Sequence, residues 1–586
     1  MTVHGGRTAV HRAWRSAATE WSALWLDRPA ARNALDQTLF GRGARAARSV
    51  SDELGTPAVV SAAHASWARH LGGPTSDDLR TELAKGSIAI ATHETALRTA
   101  SRPALEIDGV ALTHGQLDER CGRMAGWLHR RGLEPGEVVM ISGASSLELV
   151  IAYLGSLRAG GTVLLANPAY TEPELDHLVG DSGAVFALGE GPGLAPLAAV
   201  AQRHHAIREV VDLAALAPAD LAAGSELSVA PELEPAALEP QRAATLAYTS
   251  GTTGKPKAVP LTDANLLSSI RGAMHAWRWT SDDVLVHALP LFHQHGLGGV
   301  HATLLAGSRA IIHSRFDPER LCGAIKTAAA SVLFAVPSIY NRLADWDGIA
   351  QADMRSLRLL VSGSAPLSPP LAQRLAELTG QTPLERYGTT ESGLDVSNPY
   401  NGERLAGTVG LELPGVELAI AGERGQPLEP GKDGEIVVRG PQVFAGYRGL
   451  PDATADAFYP GAWFRTGDVG HVDPANGYLQ ITRRLRELII SGGSNVYPRE
   501  VEIALESHPA VARAVVLGVA SERWGEEVVA AVVPARRSAG PSEDQLLEFA
   551  RSRLAPYKCP KRVVIVSELP VNAMGKLLAA EVRKLL

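Results

Sequence analysis

The middle of the chain alternates short, wholly apolar runs with longer segments of helical periodicity. Val138–Ser142 and Thr162–Ala166 are apolar enough to be buried strands, and the helical pattern of Leu147–Arg158 lies between them. The same alternation resumes with strands predicted near residues 284–289, 309–313, 331–336 and 357–362. Continuous apolar strands separated by helices are typical of parallel sheets that helices cover on both faces. This part of the chain is therefore predicted to be α/β.

The pattern changes after about residue 405. Short strands alternate there with glycine and proline turns, which indicates a small antiparallel β subdomain. A compact α+β pattern follows, with the joint near Arg483–Glu487. The first 85 residues are rich in Ala and Arg, with helical patches at Ala9–Trp25 and Ala58–Leu71 and no recognisable chemistry. We therefore divide the chain into an N-terminal extension of unknown role (1–85), a large domain (86–485) and a C-terminal domain (486–586).

Composition and charge narrow the functional classes. The chain has 586 residues, of which 45% are hydrophobic and 20% charged, as in ordinary globular proteins. Its net charge of −7 argues against a general nucleic-acid or membrane-surface binder. The three cysteines are scattered, no apolar run is long enough to span a bilayer, and the first 25 residues lack the core of a signal peptide. We therefore expect a cytoplasmic protein, with no nucleic-acid or membrane partner.

One polar segment stands out between a predicted strand and a predicted helix at Leu261–His275. From Tyr248 to Lys257 it reads Tyr-Thr-Ser-Gly-Thr-Thr-Gly-Lys-Pro-Lys. Glycines let backbone N–H groups approach an anion, hydroxyls add donors, and lysines add positive charge. The segment therefore suits a polyphosphate, although a surface loop without a ligand is the alternative for such a run on its own.

The segment does not match the P-loop of nucleoside triphosphatases. That motif needs two glycines five residues apart and a hydroxyl directly after its lysine. Here Gly251 and Gly254 are three residues apart, and Pro256 follows Lys255. A P-loop is therefore excluded.

The segment resembles the phosphate-binding signature of the adenylate-forming superfamily, which includes acyl-CoA synthetases, firefly luciferases and peptide-synthetase adenylation domains. Three later motifs extend the resemblance over residues 90–586: Glu385–Glu391, Trp463–Asp468 and Leu569–Lys576. Within the superfamily the likeness is closest to malonyl-CoA synthetases, through stretches such as Val336–Arg342. The resemblance implies a large domain of parallel α/β sheets with a small antiparallel β subdomain, followed by a small mobile α+β domain.

The resemblance also implies a nucleotide site assembled from these motifs. Glu391 is assigned to Mg²⁺, which needs only one carboxylate beside the nucleotide phosphates, and Thr390 to the neighbourhood of the α-phosphate. Asp468 is assigned to the ribose hydroxyls, since a carboxylate accepts two hydrogen bonds. The residues assigned to nucleotide binding are Thr249, Ser250, Gly251, Thr252, Thr253, Gly254, Lys255, Lys257, Ser364, Tyr387, Gly388, Thr389, Asp468 and Arg484.

Two further roles come from the C-terminal part of the resemblance. Lys576 is assigned as the catalytic lysine that bridges the acid and the α-phosphate, because the transition state gathers negative charge that an ammonium stabilises. Arg486 is the expected hinge, about which the domain rotates between two poses. In the second pose Gly492 and Gly493 face the pantetheine arm of coenzyme A.

The residues around the acid are His293, Ser338 and Arg342. The resemblance places His293 beside the acyl pocket, while a core histidine is the alternative. Arg342 is assigned to the distal carboxylate of a dicarboxylic acid, while a helix-surface arginine is equally compatible with the sequence. Small residues, among them Thr389, also suit a roomier apolar pocket, so the sequence leaves open which acid is bound. A metal on His293 and its neighbouring histidines is disfavoured, because no carboxylate clusters with them.

The resulting interpretation is an acyl-CoA synthetase that uses ATP, Mg²⁺, coenzyme A and a small carboxylic acid. Ala258 and Arg483 stand where the family has glycine. They raise the alternative of an enzyme that only transfers acyl groups from a supplied acyl-adenylate to coenzyme A. An acyl carrier protein or a separate adenylating enzyme in trans would then be a partner. A luciferase-like oxygenase and a non-catalytic adenylate-binding protein are further alternatives, the latter disfavoured by Lys576.

Overall fold

The computed structural model of the chain describes residues 57–73, 75, 78–216, 241–249, 256–484, 489–491, 494–496, 498–521, 525–536, 540–554, 556, 558–572 and 577–586. The helices in these ranges are α1 (Pro57–Leu71), α2 (Leu79–Ala84), α3 (Ile88–Thr99), α4 (His114–Arg130), α5 (Leu147–Arg158), α6 (Glu172–Ser182), α7 (Leu194–Ala201), α8 (Asp263–Ala276), α9 (Gln294–Ala306), α10 (Pro318–Thr327), α11 (Pro337–Ala344), α12 (Pro369–Thr379), α13 (Pro451–Asp456), α14 (Pro498–Glu506), α15 (Glu543–Arg551) and α16 (Ala579–Leu585).

The first fifteen strands form the two larger sheets, and all but β15 lie in the part that was predicted to be α/β. They are β1 (Pro103–Ile107), β2 (Val110–Thr113), β3 (Val138–Ser142), β4 (Thr162–Ala166), β5 (Phe186–Gly189), β6 (Glu209–Asp212), β7 (Ala243–Thr249), β8 (Lys257–Thr262), β9 (Val284–His287), β10 (Arg309–Ile312), β11 (Val332–Ala335), β12 (Leu359–Ser362), β13 (Leu384–Tyr387), β14 (Val396–Ser397) and β15 (Leu411–Glu412). The remaining strands are β16 (Glu417–Ala421), β17 (Gly434–Arg439), β18 (Phe458–Tyr459), β19 (Trp463–Val472), β20 (Leu479–Arg484), β21 (Ile489–Ser491), β22 (Ser494–Val496), β23 (Val511–Ser521), β24 (Gly525–Pro534) and β25 (Arg562–Ile565).

Two mixed sheets form the large domain. Across the described residues, one has the strand order β6-β5-β3-β4-β7-β8 and the other β15-β14-β13-β12-β11-β9-β10-β1-β2. Most neighbours are parallel, and antiparallel pairs lie at the edges, such as β7 with β8 and β13 with β14. The prediction of α/β sheets is confirmed, and the wholly buried strand β3 has the predicted bounds.

Sequence signals explain how the chain folds after the polar segment Tyr248–Lys257, which we call the polar loop. Thr262 accepts a hydrogen bond from the backbone N–H of Asn265, and the Asn265 side chain accepts one from the N–H of Thr262. This reciprocal capping satisfies two otherwise unpaired donors at the start of α8. Strand β8 therefore passes directly into α8, and residues 250–256 connect β7 to β8 in the sequence.

Two further sheets are smaller. In one, β16-β17-β19-β18 are antiparallel neighbours and β20 pairs with β19, which confirms the predicted antiparallel subdomain. In the other, the order is β22-β21-β24-β23, with β25 parallel to β24, and α14 and α15 belong to the same C-terminal unit. The exact domain boundaries stay predictions, since residues 485–488 lie outside the described ranges.

Part of the N-terminal extension packs onto the large domain. The indole Nε1 of Trp67 on α1 donates to Val416 O over 2.9 Å, and Trp67 is 2% exposed. Arg80 on α2 pairs with the buried Glu417, which also pairs with Arg439. Helices α1 and α2 therefore join the antiparallel subdomain to α8, which they also contact. The predicted helical patch Ala9–Trp25 lies outside the described residues.

Among the described residues, no helix combines the length and the low charge that a bilayer crossing requires.

Candidate functional site

A cleft of about 1540 Å³ lies where strands β12 and β13 end and the polar loop begins. The carboxyl ends of parallel strands are where open α/β sheets bind ligands. The cleft is larger than the typical 300–1,000 Å³ of small-molecule pockets, roughly what a nucleotide together with an acyl group requires. Its lining includes the predicted site residues Thr249, Lys257, His293, Ser364, Gly388, Thr389, Thr390 and Glu391.

One end of the cleft carries the strands that flank the polar loop. Thr249 Oγ1 donates to Glu391 Oε1 over 3.3 Å, and the Tyr447 hydroxyl donates to the same oxygen over 3.0 Å. The Lys257 ammonium lies 4.7 Å from the centroid of the Tyr447 ring. This end combines a carboxylate, a hydroxyl and a cation, which are the groups that a metal–polyphosphate requires. We call it the phosphate end.

Glu391 fits Mg²⁺ by its donor chemistry. Magnesium takes oxygen ligands, keeps several waters, and often uses one or two carboxylates together with substrate phosphates. Gly388, three residues before Glu391, has no room for a side chain, since a Cβ there would lie 1.9 Å from Gly393 O. In the described part of the chain no group of three or more His, Cys, Asp or Glu side chains is arranged to hold a metal, so the disfavoured histidine site finds no support there.

The other end of the cleft carries histidine and aromatic side chains. His295 lies on α9 with its ring centroid 5.5 Å from that of Phe334, and its Nδ1 lies 3.3 Å from Ser364 Oγ. Ser364 has a φ of 69°, a left-handed conformation that is uncommon for a residue other than glycine. His293 precedes α9 and caps it, since its Nδ1 accepts from the N–H of His295. We call this region the acyl end.

Arg386 also faces the cleft and lies near His295. Within the described residues its buried Nε has no hydrogen-bond partner, and no carboxylate there compensates its charge. Burial alone lowers the pKa of the guanidinium to about 10, so it stays charged at neutral pH. The pKa of His295 is lowered well below its ordinary value, first by burial and then by Arg386, so His295 is neutral. The acyl end therefore has one positive charge, on a half-buried arginine with a buried Nε, that no carboxylate of the described chain compensates.

Arg386 was present in the quoted motif but received no role in the sequence-based assignment. Its position, one residue before the tyrosine at the end of a parallel strand, was a usable signal. Tyr447 was missed as well, because it is far in sequence from the residues it contacts.

Asp468 lies beside the cleft wall formed by Thr466 and Gly467. It is 3% exposed, and its Oδ2 accepts a hydrogen bond from the Tyr387 hydroxyl over 2.7 Å. Burial, followed by the charge of Asp468, raises the pKa of Tyr387 well above its ordinary value. The phenol therefore stays protonated and holds one carboxylate oxygen.

Two residues assigned to the acid are not brought to the cleft. Helix α11 buries Pro337, Tyr340 and Ala344, whereas Ser338 and Arg342, four residues apart, share another face. The exposed Arg342 guanidinium lies 4.6 Å from the Phe316 ring centroid. The helix-surface alternative therefore describes where Arg342 lies, because the register of α11 turns it away from the cleft lining.

Several assigned residues fall outside the described part of the chain. They are Ser250, Gly251, Thr252, Thr253, Gly254, Lys255, Arg486, Gly492, Gly493 and Lys576. Arg484 ends β20, paired with Asp468 across the strands, and its side chain is outside the description. Their roles stay predictions.

The unusual Ala258 is accommodated in strand β8. It pairs with Tyr248, is 1% exposed, and packs in the same core cluster as Leu246. The methyl group therefore fills the core and does not need glycine's conformational freedom. Arg483 pairs with Val469 within β20. The backbone of both residues belongs to paired strands, and the β19–β20 register shifts next to the Arg483 pair.

A buried carboxyl group, Asp395, lies in a chain of hydrogen bonds that reaches the cleft. Ser392 Oγ donates to its Oδ2, and Gln442 Nε2 donates to its Oδ1 over 3.1 Å. Ser392 Oγ also lies 2.8 Å from Oγ1 of Thr389 in the cleft wall. Burial raises the pKa of Asp395 to about 7, although both hydrogen bonds favour the charged form. Asp395 is therefore protonated in mildly acidic solution, where an unfolded aspartate is ionised.

Replacing Asp395 with asparagine should change how stability depends on pH. Between the ordinary pKa of 3.8 and about 7, the folded state binds more protons than the unfolded state, so the free energy of unfolding falls as pH rises. Asparagine cannot ionise, so the free energy of unfolding of Asp395→Asn should lack this decline, which in the wild type is on the order of 2–4 kcal/mol between about pH 4 and pH 8. Urea unfolding across this range measures the decline.

The matched control for that measurement is Asp282→Asn. The Asp282 side chain is 89% exposed, so its replacement should leave the pH dependence as in the wild type. Equal pH slopes for Asp395→Asn and wild type would contradict the buried, protonated state.

Comparisons with known proteins agree with the order of these motifs. The family model described as AMP-binding enzyme matches residues 92–448, and that of the AMP-binding enzyme C-terminal domain matches residues 500–576. A feruloyl-CoA synthase of an Amycolatopsis species is 37% identical over 488 residues, which cover 81% of this chain and 94% of that protein.

Two other similar proteins are a malonate–CoA ligase and a protein of known structure. The mitochondrial malonate–CoA ligase of Mus musculus is 34% identical over 475 residues, covering 75% of this chain and 80% of the relative. The solved structure of ATP-bound MatB from Rhodopseudomonas palustris superposes with a TM-score of 0.78 at 35% identity, covering 85% of this chain and 98% of that one. The acids in the names of these relatives, ferulic and malonic acid, differ in both size and charge.

Proposed function

The chain belongs to the AMP-binding enzyme family and is an ATP-dependent, AMP-forming acid–CoA ligase, and we propose that its acid is a small dicarboxylate. In the first step of such a ligase the acid's carboxylate attacks the α-phosphorus of ATP and pyrophosphate leaves. In the second step the thiol of coenzyme A attacks the acyl carbon and AMP leaves. The comparisons do not favour an enzyme limited to the second step, nor a protein that binds adenylate without turnover.

The buried charge of Arg386 carries the proposal. A buried guanidinium without a partner is costly, and a site that tolerates it normally receives an anion when the ligand binds. The phosphate end has its own cation in Lys257, and Arg386 lies with His295 at the acyl end. A second carboxylate on the acid would pair with Arg386 while the first reaches the α-phosphate. The malonate named for one relative is an acid of this kind.

The proposed roles of the remaining groups follow from their chemistry. Glu391 is the residue that would hold Mg²⁺, which neutralises phosphate charge when bound. Thr249 and Lys257 flank the loop that would hold the phosphates, and Thr390 lines the same cleft as they do. Lys576 would stabilise the charge that develops as the carboxylate attacks. This proposal needs no carrier protein and no separate adenylating enzyme.

A panel of acids tests the proposal, scored separately for pyrophosphate release and for CoA thioester formation. The panel contains malonate, methylmalonate and succinate, with ferulate and propionate as monocarboxylates. Monomethyl malonate is the matched control, because it keeps the malonate skeleton and lacks only the distal charge. We expect the highest kcat/KM with a dicarboxylate and a value at least about 10²-fold lower with its monomethyl ester. A higher kcat/KM for ferulate or propionate than for every dicarboxylate would refute the proposal.

A further inference from the structure

We propose that Tyr447 is a positioning residue that ties both ends of the polar loop to the carboxylate of Glu391. The inference rests on the proposed function, because it assigns Tyr447 to the nucleotide end of the same cleft. It adds a residue from outside the motifs by which the site was recognised, on the segment between β17 and α13.

The hydroxyl of Tyr447 acts on the incoming side of the loop. Strand β7 ends at Thr249, and both Thr249 Oγ1 and Tyr447 Oη donate to Glu391 Oε1, over 3.3 Å and 3.0 Å. Two donors on one oxygen fix the orientation of the carboxylate plane. Both of these hydrogen bonds end on Oε1, so neither of them uses the lone pairs of Oε2, which can accept a cation.

The ring of Tyr447 acts on the outgoing side of the loop. Strand β8 begins at Lys257, whose ammonium lies 4.7 Å from the ring centroid, within the range of a cation–π contact. The next residue, Arg448, donates its backbone N–H to Ala258 O over 3.1 Å. The Tyr447 ring and the Arg448 backbone therefore contact β8, the strand after the loop. The Tyr447 hydroxyl contacts the Glu391 carboxylate, which also accepts a hydrogen bond from Thr249 at the end of β7, the strand before the loop.

The segment that carries Tyr447 is itself firmly held. Asn265 Nδ2 donates to the carbonyls of Pro441 and Val443, each over 2.8 Å, and Phe444 N donates to Glu391 O over 2.8 Å. Phe444 is 2% exposed, and its ring centroid lies 4.9 Å from that of Tyr447. A side chain on such a support needs little reorganisation when the ligand arrives, which is what preorganised sites require. Tyr447 therefore orients Glu391 and Lys257 before the nucleotide binds.

Two substitutions separate the hydroxyl from the ring. Tyr447→Phe removes the donor to Glu391 and keeps the π face, whereas Tyr447→Leu removes both. Binding is measured by titration calorimetry with ATP in Mg²⁺ and with ATP in EDTA, and the Mg²⁺ concentration for half-maximal pyrophosphate exchange is measured alongside. We expect Tyr447→Phe to weaken MgATP binding and raise the half-maximal Mg²⁺ concentration by about 5- to 10-fold, with ATP binding in EDTA unchanged. Tyr447→Leu should also weaken binding in EDTA, since Lys257 loses its support.

The chain offers a matched control in Tyr459. Its hydroxyl donates to Glu435 over 3.2 Å, and the Arg465 guanidinium lies 4.6 Å from its ring centroid, so it repeats the same two kinds of contact with Glu435 in place of Glu391. Tyr459→Phe should leave the Mg²⁺ dependence as in the wild type. A general loss of packing would instead lower MgATP and EDTA binding equally in Tyr447→Phe, and that result would overturn the inference.

The remaining outcomes distinguish a failure of the inference on Tyr447 from a failure of the proposed function. If the wild type exchanges pyrophosphate with a dicarboxylate but Tyr447→Phe matches its Mg²⁺ dependence within twofold, only the inference on Tyr447 fails. If the wild type neither binds MgATP nor exchanges pyrophosphate with any dicarboxylate, the proposed function fails as well. An increase in Mg²⁺ requirement confined to the Tyr447 variants supports the inference.

Discussion

Replacing Lys576 with alanine should slow acyl-adenylate formation by about 10²- to 10³-fold and leave thioester formation from a supplied acyl-adenylate within about twofold. The attacking carboxylate and the α-phosphate are both anionic, and negative charge accumulates between them in the first step. An ammonium group at that point stabilises the transition state more than the separated reactants. In the second step the thiol of coenzyme A attacks the acyl carbon of the anhydride and AMP leaves, so no carboxylate has to approach a phosphate. We expect this step to use the other predicted pose of the C-terminal domain.

The two half-reactions are measured separately with one protein. Pyrophosphate exchange reports the first step, and consumption of synthetic acyl-adenylate by coenzyme A reports the second. Lys584→Ala is the control, because Lys584 lies on α16 of the same domain, is 71% exposed, and pairs only with Glu581 among the ion pairs of the described residues. Equal losses in both half-reactions would show a general defect and contradict the assigned role of Lys576.

The fold was predictable because its signals are local. Buried parallel strands read as unbroken apolar runs, so the bounds of β3, α5 and β4 could be given from the pattern alone. The motifs at Thr249 and Glu391 were likewise predicted, and the structure brings them into hydrogen-bond contact. Family membership and ligase chemistry were predicted from the same residues and are confirmed by the comparisons.

The acyl end was less predictable because it depends on tertiary contacts between residues distant in the sequence. Arg342 and Arg386 both lie in segments that looked functional, and the packing of α11 and β13 distinguishes them. The apolar positions of α11 already placed Arg342 on a face different from that of Tyr340, a signal that was available in the sequence. The absence of a partner for Arg386 within the described residues has no local signature at all. Similarly, α1 was predicted as a helix, but its packing on Val416 arises from residues 349 positions apart.

Replacing Arg386 with leucine should lower kcat/KM for malonate by about 10²- to 10³-fold or more, since removing one partner of a buried charge pair costs roughly 2–5 kcal/mol. The distal carboxylate would then be buried with no cation opposite it. For monomethyl malonate, which has no distal charge, the same substitution should change kcat/KM by less than about tenfold. Thioester formation with each acid, for wild type and variant, gives the four values of this comparison.

Two further variants test whether the charge or its position matters. A Cβ on Gly363 would lie 2.4 Å from Arg386 Nε, so Gly363→Ala should displace the guanidinium without removing it and cause an intermediate loss. Arg342→Leu changes an exposed arginine on Phe316 and should alter kcat/KM for malonate by less than about twofold. If Arg342→Leu loses malonate activity and Arg386→Leu does not, the two assignments must be exchanged.

The same Arg386→Leu variant should be more stable than the wild type when no acid is bound. A desolvated guanidinium opposes folding when, as within the described residues, no carboxylate compensates it, and leucine removes that cost while filling part of the volume. Urea unfolding without ligand is therefore expected to give a higher free energy of unfolding for the variant, whereas saturating malonate should stabilise only the wild type. Such an exchange of stability for substrate binding identifies a charge kept for its ligand. A variant that loses both stability and malonate activity would instead show that Arg386 holds the fold together.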